Sequence, residues 1–253
     1  MHFVIRYAAL SFTGQVRMQN EDNYCVQDRI LPLSHEEGIH LLTGEADAAI
    51  QPVFGIFDGM GGERAGAEAS YTAANSFLRQ TKNRAFFRRL FLSENYISSV
   101  CLQMNRDVVD FAEKEKIRST GSTAAILCFS SRKAFWANLG DSRIFRITPD
   151  TICQLSTDHT ASGSFLKKGP LTQYLGIREA DMHLDPAVSS EVLVTGTSYL
   201  LCSDGLTDLV TEQELYQTVM NTSAPADAVS QMENLVKNRG AVDNTTIILC
   251  RII

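Results

Sequence analysis

Apolar positions along the chain change their period several times. Near the start, HFVIRYAALS and DNYCVQDRIL are rich in aromatic and β-branched residues and read as strands. The stretch that follows, PLSHEEGIHLLTGEADAAIQP, is polar and mixed and reads as a long hairpin connection or an insertion. After the apolar run VFGIF, ERAGAEASYTAANSFLRQ is alanine-rich, with Ala65, Ala69, Ala73 and Phe77 at a spacing of four. That spacing predicts a helix whose small residues let it lie close to a sheet. A second helix is predicted from an N-cap at Ser93, with Ile97, Val100, Cys101, Met104, Val108 and Phe111 as its apolar stripe. The period then shortens. GSTAAILCF, KAFWANLG, SRIFRIT and TICQLS are short strands in succession, which suggests an antiparallel meander, and SYLLCSD is another strand. Thr211 and Glu214 have capping-box spacing at the start of a short helix. Ser223 with Pro225 opens the next, whose Ala228, Val229, Met232, Leu235 and Val236 face inward, and DNTTIILCRII closes as a strand. Grouped helices and runs of strands make the class α+β rather than a parallel βαβ array.

The 253 residues suit one domain with a sizeable core, and no repeat, low-complexity tract or Pro/Gly-rich linker divides them. Acidic side chains outnumber basic ones, 29 to 23. A net negative chain argues against a nucleic-acid backbone as partner. It does not argue against phosphorylated partners bound through cations, which reverse the local field. The cysteines, Cys25, Cys101, Cys128, Cys153, Cys202 and Cys250, are scattered singly and mostly in apolar segments. They read as reduced, buried thiols, with no thiolate metal site. MHFVIRYAALSF is apolar but too short to span a membrane, is interrupted by Arg6 and lacks a signal-peptide layout. The expectation is a cytoplasmic protein with no membrane association.

Several acids occupy one kind of place, a strand end or a tight turn, with glycine next to Asp58, Asp141 and Asp204. They are Glu21 and Asp22 in RMQNEDN, Asp58 in FDGMGG, Asp141 in NLGDSR, Asp204 and Asp208 in CSDGLTD, and Asp243 in VDNTT. Taken singly, each reads as a turn residue. Together they abut apolar strands, where an unpaired charge is expensive, and too few lysines and arginines lie nearby to pair them all. Divalent cations with oxygen ligands would offset them.

In order, the motifs are GQVRMQNEDN, VFGIFDGMGGERAGAEAS, STGSTAAILC, ANLGDSRIF, TDHT, LLCSDGLTD and DNTT, from about Gly14 to Thr246. This ordered set resembles the metal-dependent protein serine/threonine phosphatases of type 2C in their compact bacterial form. The resemblance implies a four-layer αββα sandwich, two packed antiparallel sheets flanked by helices, as a single catalytic domain over residues 1–253. It also implies roles by position. Asp58 matches an aspartate that bridges two metal ions, and Gly59 a residue that offers its carbonyl to one of them. Asp204 and Asp243 match ligands on the other side of the pair. Asp22 and Glu21 match acids that act through metal-bound water. Arg17 matches the arginine that grips the substrate phosphate, and its fork suits phosphate; an ion pair with Glu21 is its bland alternative. Asp141, Asp204 and Asp208 match a third, weaker metal site. Gly59, Gly61 and Gly62 would let the backbone turn sharply at Asp58 and start a helix at once.

The implied activity is hydrolysis of phosphoserine and phosphothreonine in proteins by a metal-activated water, with two Mn²⁺ or Mg²⁺ ions and a possible third. The implied partners are phosphoprotein substrates and an opposing serine/threonine kinase, with the enzyme a monomer in a bacterial signalling system. Two features depart from the family. Met60 stands where many relatives carry a histidine proposed as general acid, and methionine cannot donate that proton; a water on the third ion is one substitute. The flap opened by TDHT, at about residues 158–176, looks shortened. His159 there reads as structural or flap-related, and Lys167 and Lys168 as a solvated pair. His2, His35, His40 and His183 have no metal-ligand pattern around them. Two other readings remain: a phosphoprotein-binding scaffold of the same fold, and a phosphoesterase acting on a non-protein substrate such as a nucleotide.

Overall fold

The computed structural model describes residues 2–33, 41–61, 63–82, 92–162 and 169–253. Gly62, His35, His40, Lys167 and Lys168, invoked above, lie outside the described residues.

Two antiparallel sheets carry the described strands. The first holds β1 (Val4–Phe12), β4 (Leu42–Asp47), β9 (Arg143–Ile147), β10 (Ile152–Gln154), β12 (Ser198–Cys202) and β13 (Thr245–Ile252), in the order β10-β9-β12-β13-β1-β4. The second holds β2 (Asp22–Val26), β3 (Arg29–Ile30), β5 (Val53–Met60), β7 (Ala124–Phe129), β8 (Lys133–Leu139) and β11 (Ala187–Val192), in the order β11-β8-β7-β5-β2-β3. A two-residue strand, β6 (Gly121–Ser122), pairs with the end of β5.

Strand residues alternate between faces, and here both faces are covered. Phe54, Ile56, Leu127, Phe129, Tyr199, Leu201, Ile248 and Cys250 pack between the sheets. Their neighbours Val53, Phe57, Ile126 and Cys128 pack outward against α1 (Glu63–Lys82) and α2 (Glu94–Lys114). On the other side Leu200, Cys202, Ile247 and Leu249 meet α4 (Glu212–Met220) and α5 (Pro225–Asn238). Three apolar layers between four structural layers make the αββα sandwich that the resemblance implied. Tyr7, Phe54, Phe129 and Tyr199 form a chain of edge-to-face rings through the middle layer.

The helices follow their local signals closely. Ser93 caps α2 through Tyr96 N–H, and Thr211 with Glu214 forms a full capping box on α4. At α5 the N-cap is Ala224 and makes no side-chain bond, so Ser223 does not open that helix; Pro225, which needs no N–H partner, does. Ala69, Ala73 and Phe77 are fully buried, while Ala65, Phe111 and Leu235 are only half-buried at the margins of their stripes.

Several expectations change. DNYCVQDRIL is a hairpin, β2 to β3, turning at Gln27 with φ 59°. The mixed stretch before Val53 contains β4, which pairs with β1. The four-strand meander breaks in the middle: β7 and β8 pair in one sheet, β9 and β10 in the other. The crossing falls at Gly140, where φ is 94° and a Cβ would press on the Thr123 side chain. Edge strand β11 follows the segment of residues 158–176. Finally, the backbone does not turn at Gly59, because β5 continues to Met60.

Candidate metal centre

The acids converge at one end of the sandwich because antiparallel pairing brings strand starts beside strand ends. Asp22 begins β2 and Asp58 lies near the end of β5, directly opposite each other in register. Asp204 opens α3 (Asp204–Thr207) just past β12, Asp243 precedes β13, and Asp141 follows β8. Asp58 feels the charges of Asp22, Asp204, Asp141 and Asp243; burial first and these neighbours second push its carboxyl well above its ordinary range. Part of its surface stays exposed, whereas Asp22 is buried. Burial, with Asp204 and Asp243 adding to it, raises Asp22 to about 7, against two hydroxyl bonds that favour the charged form. Among the described residues no three of these side chains are clustered tightly enough to hold an ion as they stand. They face one another at electrostatic range.

A network that the motif reading did not single out fixes Asp22. Ser203 Oγ (2.8 Å) and Thr246 Oγ1 (2.7 Å) both donate to Oδ2. Ser203 Oγ accepts from Thr246 N–H, and Ser11 and Thr246 share a hydrogen bond at 2.8 Å. Asp22 Oδ1 is buried with no hydrogen-bond partner among the described residues. An open buried carboxylate oxygen beside other carboxylates is a set of hard donors that suits Mn²⁺ or Mg²⁺.

Asn244 was missed too, although it lies in DNTT. Its Nδ2 donates to Thr13 O (2.8 Å) and Gln19 O (2.9 Å), and its Oδ1 accepts from Glu21 N–H (2.9 Å). It therefore ties the loop bearing Arg17 and Glu21 to the turn bearing Asp243. Hydroxyls and amides inside an acidic motif were the available signal: Ser203, Thr246 and Asn244 each sit next to or near a candidate ligand.

Gly59 serves close approach instead of a turn. A Cβ there would lie 2.1 Å from Gly66 O and 2.7 Å from Glu21 O. At Gly66, in the first turns of α1, a Cβ would lie 2.0 Å from Glu21 Oε2. The pair of glycines lets α1 press onto β5 and places the Glu21 carboxylate at a helix N-terminus, where negative charge is favoured.

Arg17 pairs with Asp243, Nη2 to Oδ2 at 2.7 Å, and Glu21 acts on it through charge. That hydrogen bond, with the charges of Asp243, Glu21 and Asp58, raises its pKa further. About half of the side chain remains exposed. Asp208 is exposed, one helical turn from Asp204 with its N–H on Asp204 O, and its charge acts on Arg143. Arg143 itself holds Asp158 through both nitrogens of its fork. Asp141 is buried. His159 exchanges bonds with Gly140, N–H to O at 3.0 Å and ring Nδ1 accepting at 3.2 Å, and burial lowers its pKa. These bonds fit its reading as structural or flap-related. The ends of the flap segment pair with each other, Ala161 N–H to Pro170 O and Thr172 N–H to His159 O, on either side of residues 163–168, which lie outside the described residues.

Acids gathered at the strand ends of an α+β sandwich form a set of hard oxygen donors of the kind that divalent cations take. The family model of protein phosphatase 2C matches residues 32–164, a little over half of the sequence, and the chain belongs to this family. It is 27% identical over 217 residues to the serine/threonine phosphatase stp of Listeria innocua, covering 79% of this chain and 84% of that one. The crystal structure of the Mycobacterium tuberculosis serine/threonine phosphatase PstP/Ppp superposes with a TM-score of 0.78 at 21% identity, over 98% of both chains. The catalytic domain of PstP in complex with two manganese ions superposes with a TM-score of 0.76 at 22% identity, over 99% of both chains.

Proposed function

We propose that this protein hydrolyses phosphoserine and phosphothreonine in other proteins, by a metal-dependent reaction. Family membership supports this reading, as do the names of the relatives. The observation that carries it is the meeting of Asp22, Asp58, Asp141, Asp204 and Asp243, from separate stretches of chain, at one end of the sandwich beside Arg17.

Asp22, Asp58, the Gly59 carbonyl, Asp204 and Asp243 would hold a pair of Mn²⁺ or Mg²⁺ ions, with Glu21 supporting through water. Asp141, Asp204 and Asp208 would hold a third. When bound, such cations supply Lewis-acid activation of water and neutralise charge on phosphoryl oxygens. The chain's own part is to fix and to orient. Ser203 and Thr246 hold the Asp22 carboxylate in one rotamer. Thr123 takes the Asp58 N–H on its Oγ1 (3.0 Å) and donates its own N–H to Asp58 O (2.8 Å), which keeps that strand end in line. Arg17, anchored on Asp243 yet half-exposed, presents a charged fork to the substrate phosphate. Methionine at position 60 offers no proton, so the leaving group takes its proton from elsewhere.

No described helix is long and apolar enough to cross a membrane. A cytoplasmic, monomeric, single-domain enzyme opposing a serine/threonine kinase completes the proposal. The test is hydrolysis of a phosphothreonine peptide with Mn²⁺, with and without chelator, by the wild type and by Asp58→Asn. Turnover lost to both chelator and substitution is expected. Binding of the phosphopeptide without turnover would favour the scaffold reading, and turnover of nucleotides alone would favour a non-protein phosphoester.

A further inference from the structure

Val16, Met18 and Val242 are 64%, 88% and 51% exposed. Single exposed hydrophobic residues are ordinary; these three all lie on the two loops that carry Arg17 and Asp243. Gln15 N–H donates to Ala241 O at 2.8 Å, and Arg17 pairs with Asp243 at 2.7 Å. The two ties flank Val16 and Val242 in the sequence and hold the two loops together at those positions. Asn244 fixes the ends of the first loop through Thr13 and Gln19. Gly14, with φ 85°, lets that loop approach so closely that a Cβ would meet Ala241 O and Asp243 O. The apolar side chains are therefore held out by an anchored backbone, immediately on either side of the arginine that takes the phosphate in the reading above.

We propose that Val16, Met18 and Val242 form a specificity contact for an apolar side chain adjacent to the phosphorylated serine or threonine of a protein substrate. This rests on the protein phosphatase reading. A phosphate on Arg17 brings the neighbouring residues of the substrate, each at most about 3.6 Å further along the chain, over this loop. Two valines with a flexible methionine provide an adaptable apolar surface there. Contacts of this size discriminate between substrates about tenfold.

The test compares kcat/KM, with Mn²⁺ present, for two phosphothreonine peptides that differ only in leucine or glycine beside the phosphorylated residue, with p-nitrophenyl phosphate as a third substrate. The wild type is expected to favour the leucine peptide about tenfold. The ratio, taken within each enzyme and so independent of general losses, is expected to fall toward one in Met18→Ser and in the combined Val16→Ser, Met18→Ser, Val242→Ser variant. Thermal melts of each variant confirm that it is folded, and the single Val16→Ser and Val242→Ser variants give separate readings. Equal turnover of the two peptides by the wild type, or an unchanged ratio in the variants, overturns the contact while leaving the phosphatase reading intact. Turnover of p-nitrophenyl phosphate with neither peptide cleaved overturns both.

Discussion

Asn244→Ala is expected to release the loop that carries Arg17 and Glu21. The buried amide makes three hydrogen bonds, to Thr13 O, to Gln19 O and from Glu21 N–H. Each is worth about 1 kcal/mol net, and more where the abandoned partner cannot reach water. The loss is then about 3 kcal/mol, or roughly a hundredfold in the equilibrium that holds the loop down. Urea unfolding of the metal-free protein reads this directly as a lower midpoint with an unchanged slope. Asn244→Asp sharpens the test. It keeps the shape and the acceptor for Glu21 N–H but removes both donors, and sets a carboxylate against two carbonyl oxygens beside Asp243. It is therefore expected to be at least as damaging as alanine. A loss below about 0.5 kcal/mol for the alanine variant, or an aspartate variant as stable as wild type, would refute the role given to this residue.

Gly59→Ala places a methyl group against backbone atoms of Gly66 and Glu21 that cannot swing aside; the loss is expected at or above the top of the usual range for overpacking, about 3 kcal/mol, and a circular dichroism melt checks it. Manganese is expected to raise the melting temperature of the wild type, with about 2.7 kcal/mol added at a hundred times the dissociation constant. Asp58→Asn should abolish most of that rise; an equal shift in both proteins would count against the acid cluster as the binding site. The Glu214 carboxyl, bonded by Arg239 and the Thr211 backbone, is held down at about 2. A depressed folded pKa stabilises fully above the ordinary value of 4.5 and fades as pH falls toward 2. Glu214→Gln should flatten acid unfolding in that window, and an unchanged pH profile would remove the pair from the account.

Local signals in the chain determined local structure well. Helix caps at Ser93 and Thr211 are contacts between residues three positions apart, so spacing alone reveals them. Apolar runs such as AILCF marked strands covered on both faces, and the acids at their ends marked the candidate site. The sheet to which each strand belongs was not local information. β8 and β9 follow each other with three residues between, yet pair in different sheets, because that choice is settled by partners far along the chain. Edge strands β4 and β11 were invisible for a related reason: with one neighbour and a partly solvated face they carry polar residues and no clean alternation. The same limit hid the supports of the site. Ser11 and Thr246 bond across 235 positions, and Arg17 finds Asp243 across 226. Sequence supplied the charged groups; only the packing of two sheets decided which of them stand together and what holds each in place.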